Sequence, residues 1–178
     1  MLRILKWGVV VLGAGFLLMQ FVRPERTNPV TDQSISYKSN LQATTEVEAI
    51  FKRACLDCHS NETTWPWYSN IAPVSWLVVH DVNEGREHLN LSEWGRYDAE
   101  KREGLLEEIC EEVKKGSMPI RNYVLAHPEA ELSAADIRAL CEWADRERER
   151  VEGAQEEGQK EDEEQGGRRR GRGRGGRQ

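Results

Sequence analysis

The chain has 178 residues, 31 % of them charged, with a formal net charge of -6; its mean hydropathy is -0.71 and its pI about 5.4. That length suits one small domain with appendages, and that polarity excludes a polytopic membrane protein. The average charge hides a segregated pattern, because residues 151–165 are rich in Glu and six arginines fall between Arg168 and Arg177.

The one continuous apolar run opens the chain, from Trp7 to Val22, and is preceded by Arg3 and Lys6. At 1.5 Å per residue it covers roughly 24 Å, and Ile4 and Leu5 extend it toward the ~30 Å of a hydrocarbon core. It ends Met19-Gln20-Phe21-Val22-Arg23-Pro24 rather than in the small residues of a cleavage site. That ending argues for an uncleaved signal anchor over residues 1–23 rather than a cleaved signal peptide. Residues 24–43 contain Pro24, Pro29 and several Ser, Thr and Asn without a sustained period, so an extended tether is expected.

The domain is expected over 44–150. Thr45 is the expected N-cap of its first helix, with Glu48 three residues on in the capping-box arrangement. Val47, Ile50, Phe51 and Ala54 then form one apolar face. This helix runs into Cys55-Leu56-Asp57-Cys58-His59, a C-x-x-C-H signal for covalent c-type haem. Two thiols at that spacing can each form a thioether to a haem vinyl group, while the adjacent imidazole of His59 reaches the iron as proximal ligand. A redox dithiol would instead follow a strand, and a zinc site would need Cys110 and Cys141, the remaining cysteines, as further ligands. No strand precedes Cys55, and the other cysteines lack close pairing. One covalent haem c is therefore the leading reading. Haem attachment of the bacterial kind occurs on the outer side of the cytoplasmic membrane, which implies a single-pass protein with its haem domain on the periplasmic side.

Beyond the motif, Trp65, Trp67, Tyr68 and Trp76 are large apolar bodies with polar tips, suited to a haem pocket or to the core of a small domain. A second helix is expected from Pro73 to about Arg86. A third, capped by Asp98, presents Leu105, Leu106, Ile109, Cys110 and Val113 and ends at Gly116. The last has Ser133 as cap, Asp136 completing a capping box, and Ile137, Leu140, Cys141 and Ala144 inward. No period-two alternation occurs, so the class is all-α. Cys110 and Cys141 either form a disulfide between the last two helices or stay as buried thiols. The tail, 151–178, is expected to be disordered, acidic and then Arg/Gly-rich.

Several segments together resemble a known family: Cys55-Leu56-Asp57-Cys58-His59-Ser60-Asn61-Glu62-Thr63, Trp65-Pro66-Trp67-Tyr68-Ser69, Ile71-Ala72-Pro73-Val74-Ser75-Trp76, Gly85-Arg86, Asn90-Leu91-Ser92, Met118-Pro119 and His127-Pro128. Over about residues 35 to 147 they look like the bacterial haem-binding domain family of membrane-anchored, c-type cytochrome-like proteins. The order of C-x-x-C-H, Met-Pro loop and C-terminal helix also resembles class I cytochrome c. The resemblance implies a small cytochrome c-like helical domain around one haem and an electron-transfer role rather than an enzyme. In cytochromes c a methionine commonly completes the iron, which makes Met118 the expected distal ligand and His80 its main rival, ahead of His88 and His127. The expected partners are redox proteins of the envelope and the membrane itself, with no nucleic acid despite the Arg/Gly tail. A haem enzyme or sensor, with an exchangeable distal position for peroxide or a diatomic gas, is the competing class.

Overall fold

The computed structural model describes residues 2–172, with side chains as far as residue 160. Among the described residues it is all-helical, as expected, with eight α-helices and three short 3-10 turns. The first helix, α1 (Leu2–Met19), has a mean hydropathy of 1.8 and no buried residue, and by length and composition it can cross a membrane. After it the chain enters the domain through a single turn of helix, α2 (Tyr37–Asn40).

The first helix carrying the motif is α3 (Thr45–Ala54), and its cap lies one residue before the expected Thr45. Thr44 accepts a hydrogen bond from Val47 N at 3.2 Å. A one-turn helix, α4 (Leu56–His59), follows directly. The second expected helix is α5 (Val74–His88), preceded by Pro73, and the third is α6 (Ala99–Lys115). Asp98 caps α6 as expected, accepting from Lys101 N at 2.8 Å. Gly116 closes α6 in the left-handed region, at φ 71°, where a side chain would be strained. A short helix the sequence did not signal, α7 (Arg121–Ala126), precedes the last helix, α8 (Ala134–Arg172). At the start of α8, Ser133 and Asp136 exchange the reciprocal bonds of a capping box: Asp136 Oδ2 accepts from Ser133 N at 2.7 Å and Ser133 Oγ from Asp136 N at 3.1 Å.

The core forms where α3, α6 and α8 meet. Phe51 stands edge-on to Tyr37 (5.6 Å between centroids) and to Trp143 (5.1 Å), and Trp94, Leu105, Leu106, Leu140 and Ala144 surround them, all buried. The aromatic weight of the core thus comes from Trp94 and Trp143, not from the 65–76 segment. Cys110 and Cys141 form a disulfide between α6 and α8, with Cα atoms 4.8 Å apart. The cross-link closes a loop of 31 residues, for which chain entropy gives roughly 3–4 kcal/mol of stabilisation. Reduction, or Cys110→Ala with Cys141→Ala, is therefore expected to lower Tm by on the order of 10 °C in a thermal melt.

Two expectations on the flanks need correction. The segment 24–43 is not a free tether. Tyr37 and Leu41, one helical turn apart, are buried against the core, and two such residues are too few to show a period in the sequence. Earlier in the segment, Arg26 donates to Ser69 Oγ, Asn28 donates to Thr63 O, and Arg86 donates to Thr27 O. The tail does not begin at 151 as a disordered chain either, since α8 continues to Arg172. Glu, Gln, Lys and Ala are strong helix formers and Lys160 pairs with Glu156 one turn earlier, at 3.7 Å. The compositional argument holds in a narrower sense, because residues 152–154 and 156–160 are exposed and bury no core. Residues 173–178, with the end of the Arg/Gly stretch, lie outside the described residues.

Candidate functional site

Cys55 sits at the joint between α3 and α4. Its N–H still bonds Phe51 O, closing α3, while its carbonyl accepts from Cys58 N and His59 N, opening α4. The first thiol is therefore carried by the core helix and the second thiol and the imidazole by the next turn. Ser60 ends that turn in an extended conformation, its hydroxyl donating to Leu56 O at 2.6 Å.

His59 is held from one side. Its Nδ1 lies 2.9 Å from Gly85 O and 3.1 Å from Leu89 O. Carbonyl oxygens only accept, so Nδ1 carries the proton and Nε2 keeps its lone pair. This is the arrangement that fixes a metal-binding imidazole, with the outer nitrogen anchored and the inner one free. Burial lowers the His59 pKa despite both bonds, which keeps the ring neutral.

α5 and its C-cap, Leu89, can bring those carbonyls to His59 only because position 85 is glycine. A Cβ there would lie 2.8 Å from Cys58 O and 3.0 Å from Cys58 Cβ. Gly85→Ala is expected to push α5 away from α4 at a cost of roughly 1–3 kcal/mol, and to loosen the His59 ring. Haem content per chain after purification should fall, and a wild-type haem content would contradict the close-approach argument. The next residue, Arg86, stitches the loop after the motif: it donates to Ser60 O at 2.7 Å and to Thr63 Oγ1 at 2.8 Å. Asn61 N donates to Ser92 Oγ, and Asn90 donates to Asn61 Oδ1. The separate sequence segments 60–63, 85–86 and 90–92 thus form one network behind the motif.

In front of the motif lies a cavity of about 700 Å³, lined by Cys55, Cys58, His59 and Met118 and walled by apolar side chains such as Phe51, Leu105 and Ile120. Met118 reaches it from the loop after α6, where Gly116 turns the chain and Glu112 O accepts from both Ser117 N and Met118 N. Burial pushes both thiols up to about 12, and the Asp57 carboxylate further disfavours ionisation of Cys58. That is the opposite of a reactive dithiol, which needs a depressed pKa. The zinc alternative loses its remaining cysteines to the Cys110–Cys141 disulfide. Thiols, freed imidazole nitrogen, thioether and apolar walls on one cavity fit a haem attached through Cys55 and Cys58.

A second cavity, of about 290 Å³, shares the Cys58 and Tyr123 walls and is otherwise lined by Tyr68, His127, Val74 and Leu77. Here Asp57 does work the sequence did not reveal. Its Oδ2 accepts from Tyr123 Oη at 2.7 Å, its Oδ1 from Thr64 N, and its carbonyl from Thr63 Oγ1. Tyr123 stacks on His127 at 4.4 Å, and Tyr68 Oη lies 2.7 Å from His127 Nε2. His127 Nδ1 faces Glu129 at 3.3 Å. With both ring nitrogens engaged, His127 has none left for iron.

The other sequence-based candidates fall elsewhere. Of the suggested pocket aromatics, Tyr68 lines the smaller cavity, but Trp67 is 75 % exposed and Trp65 donates its indole N–H to Asn28 Oδ1 at 3.2 Å. Neither tryptophan lines either cavity. His80 is exposed and lines neither as well, while His88 stands at the rim of the larger one beside Glu84, 3.9 Å away. Of the distal candidates, Met118 and His88 share the cavity with His59.

Comparison with curated proteins and with solved structures gives no match. Against protein-family models, residues 14–146 match the haem-binding domain. The matched span begins inside α1 and takes in the whole of the 24–43 segment. On that match, which covers well over half of its length, the chain belongs to the haem-binding domain family.

Proposed function

We propose that this haem-binding protein is a membrane-tethered, monohaem c-type electron carrier of the bacterial envelope, with α1 in the cytoplasmic membrane and the domain on its outer side. The observation that carries the reading is the convergence of Cys55, Cys58, His59 and Met118 on one apolar cavity. Cys55 and Cys58 would hold the group by thioethers, and His59 Nε2 and Met118 Sδ are the atoms that would bind its iron. When bound, haem supplies a one-electron iron couple.

The chain's own part is to hold ligands and exclude water. The carbonyls of Gly85 and Leu89 fix the imidazole plane. Phe51, Leu105 and Ile120 give a low-dielectric wall, which with the thioether raises the potential relative to bis-imidazole ligation. The α6–α8 disulfide supports an oxidising compartment, since such bonds are rare in the cytosol. Of the acidic groups lining the cavity, Glu111 and Glu112 are paired with Lys115, and Glu84 and Glu108 suit a basic face on the redox partner.

The test is a redox titration of the full chain matured with haem in the envelope of a host. The expected result is a single one-electron transition, ~59 mV per tenfold change in ratio, with no spectral change when carbon monoxide is added to the ferrous form. Rapid carbon monoxide binding would favour the enzyme or sensor class instead.

A further inference from the structure

From Thr63 to His80 the chain carries no Asp, Glu, Lys or Arg, although 31 % of its residues are charged. The segment also holds the densest cluster of exposed apolar side chains outside α1. Trp67 is 75 % exposed, and Ile71, Val74, Trp76 and Leu77 lie between 38 and 45 %. Large contiguous apolar patches on a soluble surface mark a contact.

The fold says what covers this one. Gln20, one residue past the end of α1, makes a two-bond amide pair with Ala72: its Nε2 donates to Ala72 O at 3.1 Å and its Oε1 accepts from Ala72 N at 3.0 Å. Trp76 Nε1 donates to Val22 O at 2.7 Å. Arg26, Thr27 and Asn28 are bonded to the domain a few residues later. The patch is thus bonded, at its own residues and through the connecting segment, to the point where the apolar helix ends.

We infer that the exposed apolar side chains of this end of the domain, Trp67, Ile71, Val74, Trp76 and Leu77, make a second membrane contact, seated in the headgroup region of the same bilayer that α1 crosses. The inference rests on the anchor reading given above. Indole rings are the side chains best suited to that depth, with an apolar body and an N–H donor. The absence of Asp, Glu, Lys and Arg removes the cost of desolvating a full charge when the segment is placed there. Val74 and Leu77 also line the smaller cavity, so that cavity opens toward lipid, whereas none of the five patch residues lines the larger, Met118-bearing one. Electron exchange with an aqueous partner then proceeds at the larger cavity while the domain lies flat on the membrane.

The test uses the full, haem-loaded chain in phosphatidylcholine nanodiscs, with a photoreactive benzoylphenylalanine placed singly at Trp7, Trp67, Leu77 or Glu142. Trp7 lies in α1, and Glu142 is an exposed position on α8. The expected result is lipid adducts from positions 7, 67 and 77 and none from 142. Adducts from 7 without any from 67 and 77 would overturn the patch contact and leave the anchor standing. No adduct from 7 would overturn the anchor and the patch contact together, and equal labelling at 142 would show that the domain has no fixed seat.

Discussion

The Cys55→Ala/Cys58→Ala double variant is expected to lose all haem to acidified organic solvent, whereas the native chain should retain it in the protein phase. The two thiols lie on one cavity wall three residues apart and are the free cysteines among the described residues. Each single variant keeps one attachment point, so each should retain covalent haem in reduced yield. The double variant should also be less stable. A group that binds the folded chain and not the unfolded one raises stability by mass action, and an unfilled cavity of about 700 Å³ forfeits its contacts. Solvent-resistant haem in the double variant would move the attachment away from the motif.

Met118→Ala should leave attachment intact and change the iron. The thioether is the softer and more potential-raising of the common axial partners to histidine, and axial ligation spans about 0.8 V across haem proteins. Its loss is expected to lower the reduction potential by on the order of 0.1 V or more, abolish the weak far-red Fe–S band and open the ferrous form to carbon monoxide. Met118 is 38 % exposed on a loop, so the substitution removes little core and the fold should survive it. The His80→Ala variant should be spectrally unchanged, because His80 is exposed and lines neither cavity. If the band persists in Met118→Ala, the distal ligand is another group, and His88 at the cavity rim is the first to replace.

How far the sequence carried these conclusions differs from feature to feature. Both ends of α6 and the start of α8 were legible because Asp98, Gly116, Ser133 and Asp136 are local devices that act within four residues. Cys55, Cys58 and His59 stood out for the same reason, as a motif five residues long, and the three line one cavity. What the sequence left unread depends on contacts between distant segments. Gly85 stood in the sequence only as part of the Gly85-Arg86 segment, and its meaning appears with Cys58 O lying 2.8 Å from where its Cβ would be. A helix-interior glycine costs about 1 kcal/mol against alanine, and that cost was the signal that something packs against it. Asp57 occupied a variable slot of C-x-x-C-H, yet it joins loop 63–64 to Tyr123 across 66 residues. Trp143 could have been found, since Leu140, Trp143, Ala144 and Glu147 share a helical stripe. Glu147 on that stripe is only 3 % exposed and accepts from Gln42 N and Arg150, which ties α8 to the chain just before α3. The aromatics of 65–76 misled because their density suggested a pocket, while the fold turns Trp67 and Trp76 outward.

The same contrast explains the flanks. Composition alone made 24–43 a tether, because hydrogen bonds such as those of Asn28 with Thr63 and Arg86 leave no periodic trace. Composition also made the Glu-rich stretch disordered, although its residues favour helix and it follows a well-capped one. In the tail the absence of a core was legible and the backbone path was not; in 24–43 neither the path nor the burial of Tyr37 and Leu41 was.

The central claim is a single haem c held by Cys55 and Cys58, and intact-mass measurement of the denatured chain after envelope maturation tests it most directly. The predicted result is the mass of the polypeptide plus one haem, with the adduct mapping to the peptide that contains residues 55–59. A polypeptide of bare mass, or an adduct on any other peptide, would contradict it.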